Sequence, residues 1–413
     1  MEVIRKRYLE KLEKLEKVDL IKVIIGIRRC GKTTLLKQYM DFLLTKYEKN
    51  QVIFLNFEDR NNKHLTDVET LAKYLDSNIL PNKQMFLFFD EIQNVVGFEE
   101  LILSYYSTNK LLDIYITGSN SNMLSAQIAT KFTGRDITIK VLPLNFMEFY
   151  ELHKNNENTK YTLFEVYRKN GGFPILKNFL NDTKLVDDMI NGIVETIINR
   201  DLIPHFKIKN FSLLRKILEY AMENFGNEFS TDNVVEYLKR NKLIDTISHH
   251  TINSYLECLV QCFLLMKINR LDIRGLKVLK TLYKFYSVDI NMRNIIANKD
   301  YRRDLGKQLE NIVFIDLYTR FNKINIGSYY YRDNNKLQHL ECDFVCQNNM
   351  DKVFIQVCWD ILDDRTYERE MKILEKIKDG RRILLNNSKI NRIVNGIQII
   401  DVVDFLLAEK IDI

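Results

Sequence analysis

Gly26-Ile27-Arg28-Arg29-Cys30-Gly31-Lys32-Thr33, followed at once by Thr34, sets two glycines, a lysine and a hydroxyl residue at the offsets of a phosphate-binding loop. Before it, Ile21-Lys22-Val23-Ile24-Ile25 is a short β-branched run that reads as a buried strand. After it, Thr33 to Leu44 carries apolar residues at helical spacing. The glycines let successive backbone N–H groups curl around one anion, and the helix start adds its positive end. Lys32 is expected to reach the β- and γ-phosphates and the Thr33 hydroxyl to hold Mg²⁺. The stretch Gly26 to Thr34 therefore reads as a nucleotide site.

The 413 residues exceed one hydrophobic core, so about two to four domains are expected. With 46% hydrophobic and 28% charged residues, the composition is that of a folded, soluble chain. A formal charge of +6 permits a basic face for nucleic acid without requiring one. The six cysteines contain no Cys-x-x-Cys pair, which argues against a disulfide framework or zinc site and for a reducing cytoplasm. Cys342, Cys346 and Cys358 with His339 are the one arrangement that could be argued as a metal cluster. Cys30, inside the loop, raises a side hypothesis of redox sensitivity. Met1 to Lys17 carries charges every two or three residues and so lacks a signal-peptide core. No apolar run approaches a membrane span, and no membrane partner is expected. Leu9, Leu12 and Leu15 mark an amphipathic helix packed on the first domain.

Further along, Gln51 to Phe57 reads as a second strand and Asp67 to Leu80 as a helix. Met85-Phe86-Leu87-Phe88-Phe89-Asp90-Glu91 is a buried strand that delivers two carboxylates at its C-terminal end, where open α/β sheets keep their sites. Asp90 is expected to bind Mg²⁺ and Glu91 to act as general base on the attacking water. The spacing from Lys32 leaves room for a helix–strand–helix unit, the arrangement of additional-strand P-loop NTPases. Leu111 to Thr117 is a further strand, ending in Gly118-Ser119-Asn120-Ser121. Ser119, with Asn120 second, is the candidate γ-phosphate sensor, a plain turn being the other reading. Arg135, in Thr133-Gly134-Arg135-Asp136 before the β-like run Ile137 to Leu142, is placed to act as a finger across a subunit boundary or to be a surface arginine.

Together with Leu-Pro-Leu-Asn-Phe-Met-Glu-Phe (Leu142 to Phe149), these motifs resemble a large prokaryotic family of AAA-superfamily ATPases, largely uncharacterised, with a C-terminal restriction-endonuclease-like domain. The resemblance implies Walker A at Gly26 to Thr34, Walker B at Asp90 and Glu91, the first sensor at Ser119 and the arginine finger at Arg135. Gly171-Gly172-Phe173-Pro174 is similar to the family's Gly-Gly-x-Pro turn.

From about 161 to 206 the pattern is that of a helical lid. Phe211 to Phe225, Thr231 to Asn241 and Ser248 to Leu264 read as three amphipathic helices before a basic, β-prone tail, the outline of a winged helix over 207–295. Its third helix offers His249, His250, Thr251, Asn253 and Ser254 to a DNA groove, or the module packs between its neighbours. Over 296–413 a helix (Leu305 to Arg320), three strands, a helix and a strand follow the order of restriction-endonuclease-like cores. There Glu310 and Asp343 match two metal-binding positions by resemblance. The third reads Gln356-Val357-Cys358, a weak oxygen ligand with no lysine, for which Lys336 or Lys352 would have to substitute.

The resulting expectation is an α/β chain in four parts: an additional-strand P-loop ATPase sheet (1–160), a lid (161–206), a winged helix (207–295) and a nuclease-like domain (296–413). The expected cofactors are ATP and Mg²⁺, with DNA and a second copy of the chain as candidate partners. ATP hydrolysis driving the C-terminal modules is the leading function; a nucleotide-gated interaction switch and an ATP-licensed nuclease are the rivals.

Overall fold

The computed structural model describes residues 2–118, 131–206, 208, 210–242, 247–275, 277–334, 336–348 and 351–409. Its first sheet contains β1 (Ile21–Gly26), β2 (Val52–Asn56), β3 (Met85–Asp90), β4 (Leu112–Gly118) and β5 (Asp136–Val141). The order is β2-β3-β4-β1-β5, every pair parallel. Strand β4 thus separates the loop-bearing β1 from the acid-bearing β3, an arrangement that the spacing between Lys32 and Asp90 allows. Both β1 and β3 are buried at every position, which is why they read as unbroken apolar runs rather than alternating ones.

One residue breaks that pattern. Lys22 is fully buried at the second position of β1, where its ammonium donates to Asp113 Oδ1 at 2.5 Å and to the Val18 carbonyl at 2.6 Å. Such a charge is tolerated only when paired and hydrogen-bonded. Ahead of the sheet, helix α1 (Lys6–Lys14) buries Tyr8 and Leu12.

Helices follow at Phe146–His153, Lys160–Asn170 and Thr183–Thr196, the last continuing into a π-helical turn over Ile197–Leu202. Three more, Phe211–Glu223, Thr231–Arg240 and His249–Gln261, precede the hairpin β7 (Met266–Asp272) and β8 (Lys277–Tyr286). A two-residue strand, β6 (Glu228–Phe229), pairs antiparallel with β8.

The C-terminal part opens with the helix Leu305–Arg320, as expected, then β9 (Lys323–Asp333), β10 (Lys336–Asn348), β11 (Asp351–Cys358), a helix (Asp364–Lys376) and β12 (Arg381–Asn386). The short β13 (Arg392–Val394) and β14 (Ile397–Asp401) extend this sheet beyond the strands expected. More consequential, β7 pairs in parallel with β9, Arg270 opposite Ile326 and Asp272 opposite Ser328. The hairpin and the C-terminal strands therefore form one nine-stranded sheet, β13-β14-β12-β11-β10-β9-β7-β8-β6. It runs straight through the boundary expected at 295/296.

Candidate active site

The loop leaves β1 at Gly26, where a Cβ would sit 2.1 Å from the Val141 carbonyl oxygen, so no side chain fits there. Arg29 and Gly31 adopt left-handed φ angles of 67° and 98°, turning the chain into the helix Lys32–Leu43. Lys32 is buried, its ammonium folded back onto the Gly26 carbonyl at 3.0 Å and the Ile27 carbonyl at 3.3 Å. Ile27 and Cys30 turn their side chains into the core, so at those two positions only backbone faces a ligand. The Cys30 thiol donates to the Val141 carbonyl, and burial pushes its pKa up. The thiol is fully enclosed, which tells against the redox hypothesis.

At the heart of the site the Thr33 hydroxyl donates to Asp90 Oδ2 at 2.8 Å. Asn56, at the end of β2, donates to the same oxygen at 2.9 Å, and the Thr117 hydroxyl, at the end of β4, to Oδ1 at 2.6 Å. Three strand ends and the loop thus converge on one carboxylate. Burial raises its pKa, opposed by the Thr117 and Thr33 hydrogen bonds. Glu91 follows in a left-handed conformation (φ 55°), its N–H on the Thr117 hydroxyl at 2.9 Å. Backbone of this kind costs on the order of 1–3 kcal/mol and persists where the surroundings enforce it. Its carboxylate accepts from Gln93 Nε2 at 2.5 Å. The Gln93 side-chain oxygen is buried without a hydrogen-bond partner among the described residues.

Arg28, half-buried, grips Asp201 of the π-helical turn through two hydrogen bonds of 2.9 and 3.1 Å, and Glu58 lies 3.6 Å away. The loop is held from behind by Arg5, whose guanidinium donates to the Cys30 and Leu142 carbonyls at 3.0 and 2.9 Å. Glu148 completes that clamp through two bonds to Arg5, while also capping its own helix with Asn145. A cleft of about 490 Å³ opens above, walled by Arg28, Arg29, Lys32, Thr33, Thr34 and Glu91 on one side and Pro174, Ile175 and Lys177 on the other. The Gly-Gly-Phe-Pro turn builds that second wall. Gly172 lies so close to Leu144 that a Cβ would come within 2.0 Å of its carbonyl oxygen, and the Gly172 N–H donates to the buried Asp289 at 2.6 Å.

Arg5, Asn56, Thr117, Glu148 and Asp201 went unread in the sequence. Only Asn145-Phe146-Met147-Glu148, a capping-box spacing, carried a local signal. Ser119 and Asn120 lie outside the described residues. Arg135 is exposed at the N-terminal edge of the sheet, its carbonyl accepting from the Ile21 N–H at the start of β1. Since β1 and β5 run parallel for six residues, Arg135 stands about 20 Å from the edge that carries the loop.

In the C-terminal part Glu310 accepts from the Tyr286 hydroxyl at 2.5 Å. Asp343 is buried. Its carboxylate accepts from the Val357 N–H, and its own N–H donates to Gln356 Oε1 at 3.1 Å. Burial, then the Glu310 charge, push the Asp343 carboxyl well up, with Lys284 acting against them. Gln356 spends its amide N–H on Glu370. The ammonium among these carboxylates belongs to Lys284 on β8, not to Lys336 or Lys352. Asp343 thus touches Gln356 and feels the Glu310 charge; among the described residues no group of three or more His, Cys, Asp or Glu side chains is placed to hold a metal. The same holds for His339 and the C-terminal cysteines. Among the described residues no helix is long and apolar enough to cross a membrane.

A family profile described as an AAA domain matches residues 19–150, and a domain of unknown function, DUF8612, matches residues 161–303. An uncharacterized protein of Haemophilus influenzae is 32% identical over 98% of this chain and 98% of its own. The uncharacterized protein MJ1544 of Methanocaldococcus jannaschii is 31% identical, covering 87% of this chain and 79% of that protein. Among solved structures, the Aeropyrum pernix ORC1 protein in complex with DNA overlaps 74% of this chain and 95% of its own, at 11% identity and a TM-score of 0.30. At that score no property passes from it to this chain. The parallel sheet, the loop at its C-terminal edge and the matched profile make residues 19–150 an AAA-type P-loop NTPase domain. The chain belongs to the prokaryotic AAA-domain family that includes the Haemophilus influenzae and Methanocaldococcus jannaschii proteins.

Proposed function

We propose that the protein binds ATP with Mg²⁺ in the cleft above residues 26–34, hydrolyses it, and uses the cycle to reposition its lid and C-terminal modules. The observation that carries this reading is the 2.8 Å contact between the Thr33 hydroxyl and Asp90. A hydroxyl and a carboxylate held side by side, at the foot of a loop with no room for a Cβ at Gly26, form the donor set that suits Mg²⁺ beside a polyphosphate. Mg²⁺ held by Thr33 and Asp90 would neutralise charge on the phosphate oxygens. Lys32, released from the Gly26 and Ile27 carbonyls, binds the β- and γ-phosphates. Glu91 takes the proton of the attacking water. Ser119 is assigned as sensor and Arg135 as a residue serving a neighbouring copy's site.

Residues 207–295 are assigned as a winged helix, supported by three helices, a hairpin and the short β6 strand. Residues 296–413 are assigned as a restriction-endonuclease-like module kept for binding or assembly. The Gln356 side-chain oxygen, taken up by the Asp343 N–H, favours that role over cleavage. Phosphate release and thermal shift with ATP and Mg²⁺ test the reading: Glu91→Gln retains the shift and loses release, and Lys32→Ala loses both. An unchanged melting point with ATP and Mg²⁺ overturns it.

A second reading, a nucleotide-gated switch with little turnover, is favoured by the Gln93 amide on Glu91 at 2.5 Å. It predicts retained ATP and negligible release in the wild type, rising in Gln93→Ala.

A further inference from the structure

Away from the nucleotide cleft, a second cleft of about 540 Å³ opens where α1 and β5 meet β7 and the start of β9. Five cations line it, Arg7, Lys11, Lys140, Lys267 and Lys323, and no carboxylate does. Arg7 is paired with Asp316 at 3.1 Å. The four lysines have no ion-pair partner among the described residues, but the Lys267 ammonium is held over the Tyr283 ring, 3.9 Å from its centroid. Burial lowers the pKa of Lys11, and lowers that of Lys267 against the opposing charge of Glu257. Neutral hydrogen-bonding groups, Thr138, Asn322 and Asn325, fill the gaps between the charges. Three lysines, Lys11 on α1, Lys140 on β5 and Lys323 on β9, lining one cleft with no carboxylate among its walls, call for an anionic ligand long enough to touch all three elements.

We infer that this cleft binds the phosphodiester backbone of a nucleic-acid strand, and that α1 couples the occupied cleft to the nucleotide loop. The coupling follows from the helix itself. Arg5, just ahead of α1, donates to the Cys30 carbonyl in the loop, while Arg7 and Lys11 on the same helix face the second cleft. A strand that draws α1 toward the cleft shifts the guanidinium clamping the loop. This coupling rests on the ATPase reading above; the binding does not.

The test is fluorescence anisotropy of the full chain with labelled single-stranded and duplex DNA of about 20 nucleotides, without ATP, across a salt series. Lys140→Gln with Lys323→Gln, both at exposed positions, is compared with Lys83→Gln with Lys154→Gln, which removes equal charge elsewhere. The expected result is a loss of about tenfold or more for the cleft pair, a log–log salt slope flattened by about 1.4 on single strands, and little change for the control pair. Equal losses in both pairs, or none in the cleft pair, overturn the inference. So does binding of inorganic tripolyphosphate that the cleft pair weakens, without binding of either DNA, which would make the cleft a small-anion site. DNA binding that leaves phosphate release unchanged in an active enzyme overturns the coupling alone.

Discussion

The Lys284 ammonium, on β8, lies 2.7 Å from Glu341 Oε1 and 3.4 Å from Glu310 Oε1, so a hairpin lysine stands inside the acidic heart of the C-terminal module. Glu310 belongs to the helix Leu305–Arg320 and Glu341 to β10. One side chain therefore ties three elements together, beside the parallel pairing of β7 with β9.

Lys284→Met should expose how much that tie contributes. Removing one partner of a buried ion pair leaves the other charge uncompensated and costs on the order of 3–5 kcal/mol. Lys284 is almost wholly enclosed, whereas Glu341 is partly open to solvent. Glu341→Gln is accordingly expected to cost less, about 1 kcal/mol. Urea denaturation followed by circular dichroism measures both, and a Lys284→Met midpoint equal to that of the wild type would show the pair to be incidental.

Asp289 should make stability depend on pH. Burial outweighs the hydrogen bonds from the Gly172, Met292 and Asn291 amides and holds its carboxyl near about 6, against an ordinary 3.8. Between those values the folded state binds the proton and the unfolded state does not. The contribution is complete below about 3.8 and is lost as pH rises through 6, a change of about 2–3 kcal/mol. Denaturation midpoints measured from pH 4 to 7 should fall over that window, and Asp289→Asn should flatten the fall.

Gly172→Ala should disturb the wall of the nucleotide cleft. The added methyl meets the Leu144 carbonyl oxygen at 2.0 Å, a backbone atom that cannot swing aside. A loss of about 2–4 kcal/mol is expected, with weaker ATP binding because Pro174 and Ile175 move with the turn. Calorimetric titration of ATP into the variant reads the second effect. Unaltered affinity would mean that the turn only frames the cleft.

Arg135 should matter only between copies. Some 20 Å from the loop-bearing edge, it cannot reach its own nucleotide. Arg135→Ala is expected to bind ATP normally and turn over at least tenfold slower. Mixing it with Lys32→Ala should restore part of the rate, since one copy keeps an intact loop and the other an intact arginine. No recovery at any mixing ratio would assign Arg135 to the surface.

The first sheet was legible because its signals are local. An apolar strand, a glycine loop and an acid pair each announce themselves within about eight residues, and Thr33 and Asp90 meet as their types foretell. Arg5 was illegible for the opposite reason. In a charged N-terminus it resembles its neighbours, and its partner carbonyl at Leu142 is 137 positions away. Lys22 shows the same limit: the run around it reads as a buried strand, but only the fold reveals that Asp113 makes the charge tolerable. In the C-terminal part the helix and three strands were visible as periodic segments. Alternation tells which face of a strand is buried, never which strand lies alongside, so the β7–β9 pairing and the arrival of Lys284 stayed hidden.

That pairing limits how chemical work could be delivered. Backbone hydrogen bonds weld the hairpin to the C-terminal strands as one slab, so neither can swing against the other without tearing a ladder. A stroke of the kind proposed above would have to carry the slab whole. The hydrogen bond from the Gly172 N–H to Asp289 is one of the ties through which such a stroke would have to pass.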